Sequence, residues 1–211
     1  MSPSTHLILG VTGGIATGKT TVANMLEELG APIIDFDVLA RRVVEPHKPA
    51  WKDIVAYFGQ EILLEDRTLD RKKLSGIVFK DAEKRRKLEG FIHPRTGDKY
   101  AEEVDRITAV NPNAIIQAVI PLLFEANMQG MFEKILLVYA PRQTQIERLV
   151  VRDGISEEEA ARILDAQLPI NEKVGFADFV INNEKGLDET REQVEDLWRK
   201  LTKIQQGKQQ D

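Results

Sequence analysis

Residues Gly13-Gly14-Ile15-Ala16-Thr17-Gly18-Lys19-Thr20 constrain this chain more than any other stretch. They fit G-x-x-x-x-G-K-[ST], and they stand where such a loop must stand. Ahead of them Leu7–Thr12 is a short apolar run, the pattern of a buried parallel strand. Behind them Thr21–Leu29 repeats its apolar residues at helical spacing and stops at Gly30. In a strand–loop–helix of this kind, glycines let successive backbone N–H groups turn inward above the partial positive charge of a helix N-terminus, which cradles phosphate. Lys19 then reaches the β- and γ-phosphates of a triphosphate, and the Thr20 hydroxyl joins the shell of a Mg²⁺ ion. Gly14, Ile15, Ala16, Thr17, Gly18, Lys19, Thr20 and Thr21 are the candidate ATP-binding residues, with Thr20 the candidate metal ligand.

The rest of the chain extends this unit. Apolar runs at Leu7–Thr12, Pro32–Asp35, Ala114–Ile120, Lys134–Tyr139 and Phe179–Ile181 alternate with helical patterns, as in an α/β fold with a five-stranded parallel sheet flanked by helices. With 211 residues the chain suffices for one such core and a modest insertion. The insertion reads as residues 38–112, a gap of about 80 residues without a clear strand and far longer than an ordinary crossover. Val38 to Glu45 forms a short helix ended by Pro46, helical spacing continues from Leu74 to His93-Pro94, and Tyr100, Val104 and Ile107 give a further stripe. The segment is either a helical insertion at the strand ends, where open α/β sheets bind ligands, or a plain helical layer over the sheet. Residues 142–168 hold a helix at Gln143–Arg152 and a second one opened by the capping box Ser156-Glu157-Glu158-Glu159 and running through Leu168. The last helix carries Val194, Leu197, Trp198 and Leu201 on one face, and residues 205–211 read as a polar, flexible tail.

A second constellation is Asp35 and Asp37, at the end of the second apolar run. Alternate residues of an extended segment share a face, which aims both carboxylates into one cleft; the competing reading is that one of them caps the following helix. A carboxylate there holds Mg²⁺ or orients and deprotonates an attacking hydroxyl, enough for phosphoryl transfer, which is mainly positioning and charge stabilisation. The third and fourth runs end in Ile120-Pro121 and Tyr139-Ala140-Pro141, without the Asp that a motor ATPase or switch GTPase uses, and no N-K-x-D motif is present. That pattern favours a small-molecule kinase. Arg148 and Arg152, four residues apart, share a helical face and are suited to close over a nucleotide, or else to lie on a solvated face beside Glu147 and Asp153. Lys80–Lys87 is a basic run that reads as a solvated helix surface, and His93 is either a structural hydrogen-bonding residue or part of a site.

Composition excludes little and excludes it usefully. A net charge of −5 argues against a nucleic-acid partner. The absence of Cys removes disulfides and thiolate metal sites and suits a reducing compartment. Neither a signal peptide nor an apolar stretch of membrane-spanning length is visible, so the expectation is a soluble cytoplasmic protein with no membrane partner. Oligomeric state leaves no mark in the sequence.

These residues together resemble the dephospho-coenzyme A kinase family over positions 7 to 183. The similarity runs through Val11–Thr21, through Ile34-Asp35-Phe36-Asp37 with Ala40-Arg41, and through Val43–Pro46 and Phe58-Gly59. It continues through Ile92-His93-Pro94, Val119–Glu125, Gln145-Ile146-Glu147-Arg148 with Arg152-Asp153, Gln167, and Ala177–Ile181. The loop is generic to many kinases; the ordered set is specific. The resemblance implies a P-loop kinase fold with a helical coenzyme-A-binding insertion over 38–112 and a lid over 142–168. It implies transfer of the ATP γ-phosphate to the ribose 3′-hydroxyl of dephospho-CoA, the last step of coenzyme A synthesis. Asp37 becomes the base, Asp35 supports substrate or metal, Lys19 and Arg148 act on the transferring phosphate, Arg148 and Arg152 become lid arginines, and His93 falls in the acceptor region. Three departures stand out: Ala16-Thr17 for Gly-Ser, Phe36 for a small residue, and Leu168-Pro169-Ile170-Asn171 for a polar helical stretch. A kinase of nucleosides or nucleotides and a nucleotide-binding regulator without phosphotransfer are the competing readings.

Overall fold

The structure is a computed structural model that describes residues 5–208. Its contacts divide the chain into two units, one running up to Ile34 and again from Ile107 onward, the other spanning Asp35–Arg106.

The first unit is built on a five-stranded sheet of β1 (Leu7–Gly13), β2 (Ile33–Asp35), β3 (Ile115–Val119), β4 (Lys134–Tyr139) and β5 (Phe179–Asn182). The strand order is β2-β3-β1-β4-β5, and β1 runs parallel to β3 and β4, as β4 does to β5. Central β1 is apolar along its length because both faces are covered. Leu7, Leu9 and Val11 pack with Val22 and Leu26 of α1 (Lys19–Glu28) and with Val194, Leu197 and Leu201 of α9 (Leu187–Gly207), all fully or almost fully buried. Each such side chain contributes about 1.5–3 kcal/mol of transfer free energy. Two polar groups set the register of these layers. Buried Gln117 on β3 donates from Nε2 to the carbonyls of Ala23 and Ala31, both at 2.9 Å, holding the end of α1 to the sheet. Burial opposes ionisation of the Asp178 carboxyl, yet hydrogen bonds from Lys134 and the Ile135 N–H outweigh it and hold its pKa below 3.8, locking the start of β5 to β4.

After β4 come α6 (Arg142–Asp153), α7 (Glu157–Asp165) and α8 (Ile170–Val174). Ser156 caps α7, its hydroxyl accepting from the Glu159 N–H at 3.2 Å. The helix expected through Leu168 ends at Asp165, because Pro169 disfavours helical backbone at the residue before it and instead caps α8. Lys173 of α8 is fully buried, its ammonium 2.6 Å from Glu125 Oε1, which also accepts from the Leu168 N–H at 3.1 Å. At the C-terminus the tail expected from residue 205 is helical as far as Gly207: Gln205 is buried and donates to the Thr5 carbonyl at 3.2 Å. Lys208 follows and donates to the His6 carbonyl at 2.8 Å, while residues 209–211 of that expected tail lie outside the described residues.

The second unit is helical, with α2 (Phe36–Val43), α3 (Pro49–Phe58), α4 (Arg71–Lys80) and α5 (Ala82–Val110), a 3-10 turn at Gln60–Ile62 and a single Leu63–Leu69 bridge. It has its own core of Val43, Trp51, Ile54, Phe58, Ile62 and Leu74, against which Leu88, Phe91 and Ile92 pack. The Trp51 indole donates to the Arg67 carbonyl at 2.9 Å, and Arg95 pairs with Asp53 at 2.6 Å. The expected stop at His93-Pro94 is absent, since α5 continues through Pro94. Proline removes the bond to the Gly90 carbonyl. Around it the Arg95 guanidinium donates to the Phe91 carbonyl at 2.7 Å and the Thr96 hydroxyl to that of Ile92 at 3.0 Å, so the turn gains side-chain bonds where it lost a backbone one.

Candidate active site

The loop between β1 and α1 is fixed by side chains from distant parts of the first unit. Gly18 caps α1 at φ 88° and ψ 28°, in the left-handed region where glycine carries no steric penalty. A β-carbon there would also lie 2.0 Å from Asn183 Nδ2. Asn183 follows β5, donates from Nδ2 to the Thr17 carbonyl at 2.8 Å, and accepts through Oδ1 from the Thr190 hydroxyl at 2.9 Å. Gly14 is demanded from the other side, because a β-carbon on it would meet Gln145 Oε1 at 2.4 Å. Buried Gln145 is itself held by donation to the Ala140 carbonyl at 2.8 Å. Thr17 is buried and its hydroxyl donates to the Gly14 carbonyl at 3.0 Å, while the Ile15 N–H donates to Gln167 Oε1 at 3.1 Å. Between them Ala16 sits at φ 57°, where an L-residue costs about 1–2 kcal/mol. The replacement of glycine by alanine noted in the sequence therefore falls on the position of this turn that favours glycine.

The first turn of α1 has no side-chain cap and no acidic residue. Its leading N–H groups are the orphan donors of every helix start, aimed here at whatever occupies the loop. The Lys19 ammonium lies 3.2 Å from the carbonyls of both Gly13 and Gly14. Thr20 is exposed and Thr21 half-buried. Ala16, Thr17, Gly18, Lys19 and Thr20 line a cavity of 310 Å³ together with Arg148 and Arg152, so the two arginines singled out by their spacing face the loop. Arg148 donates to the Asn183 carbonyl at 2.7 Å. Arg152 is gripped by Asp153 at 2.7 and 2.9 Å, a hydrogen-bonded pairing that raises the guanidinium pKa and lowers that of the carboxyl. No carboxylate lines this cavity, and its lysine and two arginines make it suited to polyanions.

Asp35 is the last residue of β2, where one unit passes into the other. The expectation of two carboxylates on one extended face is corrected: the strand ends at Asp35 and Asp37 lies in the first turn of α2. Asp35 is the cap, its Oδ1 accepting from the N–H groups of Asp37 at 2.8 Å and Val38 at 3.1 Å. That fixes the corner from which the exposed Asp37 projects. Phe36 packs on Tyr100 of α5 with ring centroids 5.0 Å apart. His93 is exposed on α5. The loop and the two arginines belong to the first unit, Asp35, Asp37 and His93 to the second.

The residues that sequence reasoning left without a role are Asn183, Gln145 and Gln167. Asn183 and Gln167 bind loop backbone through side-chain amides and Gln145 packs against Gly14, contacts that no local pattern announces; the signal for Asn183 and Gln145 is the glycine opposite each approach, and Gln167 has none. Among the described residues no group of three or more His, Cys, Asp or Glu is placed to hold a metal ion. A Mg²⁺ bound mainly through phosphate oxygens and water needs no such group. The exposed Thr20 hydroxyl, which makes no hydrogen bond of its own, suits that mode.

Compared with known proteins, residues 7–189 match the family model described as dephospho-CoA kinase. The chain is 46% identical over 197 residues to the dephospho-CoA kinase of Syntrophus aciditrophicus, covering 93% of this chain and 84% of that one. It is 44% identical to that of Listeria monocytogenes over 186 residues, or 88% and 92% of the two chains. Among solved structures, a Thermus thermophilus protein superposes with a TM-score of 0.79 at 34% identity over 91% and 95% of the chains. A dephospho-CoA kinase from Campylobacter jejuni superposes at 0.69 with 29% identity over 93% and 97%.

Proposed function

The chain belongs to the dephospho-CoA kinase family and is an ATP-dependent phosphotransferase, and we propose that it moves the γ-phosphate of ATP to the ribose 3′-hydroxyl of dephospho-CoA, with its own residues in the following roles. The observation that carries the role assignment is the cavity shared by the phosphate loop, Arg148 and Arg152. The triphosphate lies against the loop, with Lys19 on the β- and γ-phosphates and the two arginines on the opposite side. Asp37 takes the proton of the 3′-hydroxyl as its oxygen bonds to the γ-phosphorus; the bond from phosphorus to the β–γ bridging oxygen breaks and ADP leaves. Asp35 holds the Asp37 corner, and His93 contributes to the acceptor's surroundings. The Thr20 hydroxyl would hold Mg²⁺, which when bound offsets phosphate charge. No helix among the described residues is long and apolar enough to cross a membrane. The absence of Cys suits a reducing compartment such as the cytoplasm, and the net charge of −5 disfavours a nucleic-acid partner.

The test is ADP release with ATP and Mg²⁺ against dephospho-CoA, adenosine, AMP, CMP and no acceptor. Turnover confined to dephospho-CoA, with the product phosphorylated at the 3′ position, is the expected result. Turnover with a nucleoside or nucleotide alone would move the acceptor assignment, and tight ATP binding without transfer would return the chain to a binding role.

A further inference from the structure

A second cavity, of 190 Å³, opens beside the loop and shares no residue with the one that Lys19 and the arginines line. It touches the loop at Gly14 and is walled by the α7–α8 connection and the start of α6. Its chemistry is different. Leu164, Leu168, Pro169 and Ile170 make it largely apolar. Its one cationic side chain, Arg142, is paired with Asp165 at 2.9 Å, so no net charge is offered to a phosphate. The volume is below that of sites taking whole drug-sized ligands and suits a single ring system.

Two amides give this cavity a direction. Gln167 accepts the Ile15 N–H through Oε1, and Asn171 accepts the Tyr139 hydroxyl through Oδ1 at 3.1 Å. An amide whose oxygen is committed has its NH₂ group fixed as the remaining face. Gln167 Nε2 and Asn171 Nδ2 make no hydrogen bond of their own, and both residues line the cavity. Two donors above an apolar wall recognise a flat ring that carries acceptor atoms on its edge. A purine, with its ring nitrogens, is such a ring.

We propose that this cavity binds the adenine of the acceptor, with Gln167 and Asn171 donating to its ring nitrogens. The assignment rests on the proposed kinase reaction. Because the cavity adjoins the loop at Gly14, a base held there keeps its ribose beside the transferring phosphate.

The experiment uses Gln167→Glu and Asn171→Asp, isosteres that keep each acceptor bond and delete each donor, together with Asn171→Ala at an exposed position where folding is not at stake. Binding of dephospho-CoA and of its phosphopantetheine half is measured by calorimetry without ATP, and KM is measured for both substrates. Each variant should weaken dephospho-CoA binding and raise its KM by about fivefold, the size of one lost hydrogen bond. Phosphopantetheine binding should stay unchanged in all three, and the KM for ATP should stay unchanged in the Asn171 variants, whose side chain bonds Tyr139 and not the loop. A rise in the ATP KM of the Asn171 variants instead would give the cavity to the donor's adenine and overturn the proposal. Equal weakening of both acceptor ligands would reduce the effect to added charge or lost structure, and no change in any of them would remove the cavity as a site; both outcomes overturn it. If the wild-type protein does not phosphorylate dephospho-CoA at all, the reaction has failed rather than the cavity.

Discussion

Single residues set the chemistry, and two of them give separable measurements. Asp37 projects from a corner whose geometry Asp35 holds by capping α2, so removing its charge leaves the corner intact. Asp37→Asn should lower kcat about a hundredfold or more, the scale of a lost general base, with ATP affinity nearly unchanged in a direct binding measurement. Near-normal turnover would take the base role from Asp37. Tyr100 tests the packing beneath that corner. Its hydroxyl is buried without a partner, and burial pushes its pKa up to about 12. A phenol whose folded pKa lies above its unfolded value of 10 contributes stability below pH 10 that is lost as pH rises towards 12, because the folded state binds the extra proton there. Tyr100→Phe should therefore flatten the fall in stability between those pH values, and at neutral pH gain about 1 kcal/mol by deleting an unsatisfied hydroxyl. Denaturant melts of both proteins at several pH values would show it.

At the scale of elements, the least expected feature is the ion pair that seats α8. Lys173 is fully buried, Glu125 Oε2 has no hydrogen-bond partner, and the Lys173 ammonium keeps only the close approach to Oε1 without hydrogen-bond alignment. Pairs of this kind contribute little net stability but are costly to break from one side. Lys173→Met alone should cost about 3 kcal/mol by leaving Glu125 uncompensated, and the double change Glu125→Gln with Lys173→Met should recover most of it. Midpoints of chemical unfolding for the wild-type protein and both variants decide this, and equal midpoints would mean that water reaches the pair. The same connection shows where sequence reading stops. The strands were legible to within about one or two residues, since buried parallel strands are continuous apolar runs bounded by turns. Helix limits at Leu168 and Pro94 were not. Proline outweighs periodicity at the first position, while at the second the helix runs on through Pro94.

Over the whole molecule, the legible part of the candidate site is the part with short-range grammar: the glycine spacing of the loop, Lys19, and two arginines one helical turn apart. The illegible part is held by contacts between residues far apart in the chain. The Thr17–Asn183 bond spans 166 positions and the Ile15–Gln167 bond 152. The helical character of the second unit was legible because no strand-like apolar run breaks its helical spacing. Its internal pairings, Trp51 to Arg67 and Arg95 to Asp53, have no signature in a single sequence. The long-range clasp on the loop also orders events during synthesis. A ribosome adds about 5–20 residues per second, and domains take shape as their parts emerge. The loop leaves the tunnel well ahead of its clamp, which needs Asn183, and Asn183 needs the Thr190 hydroxyl on α9. The phosphate cradle is thus translated before the residues that finish it, and a nascent chain is expected to hold nucleotide firmly only after Thr190 has emerged.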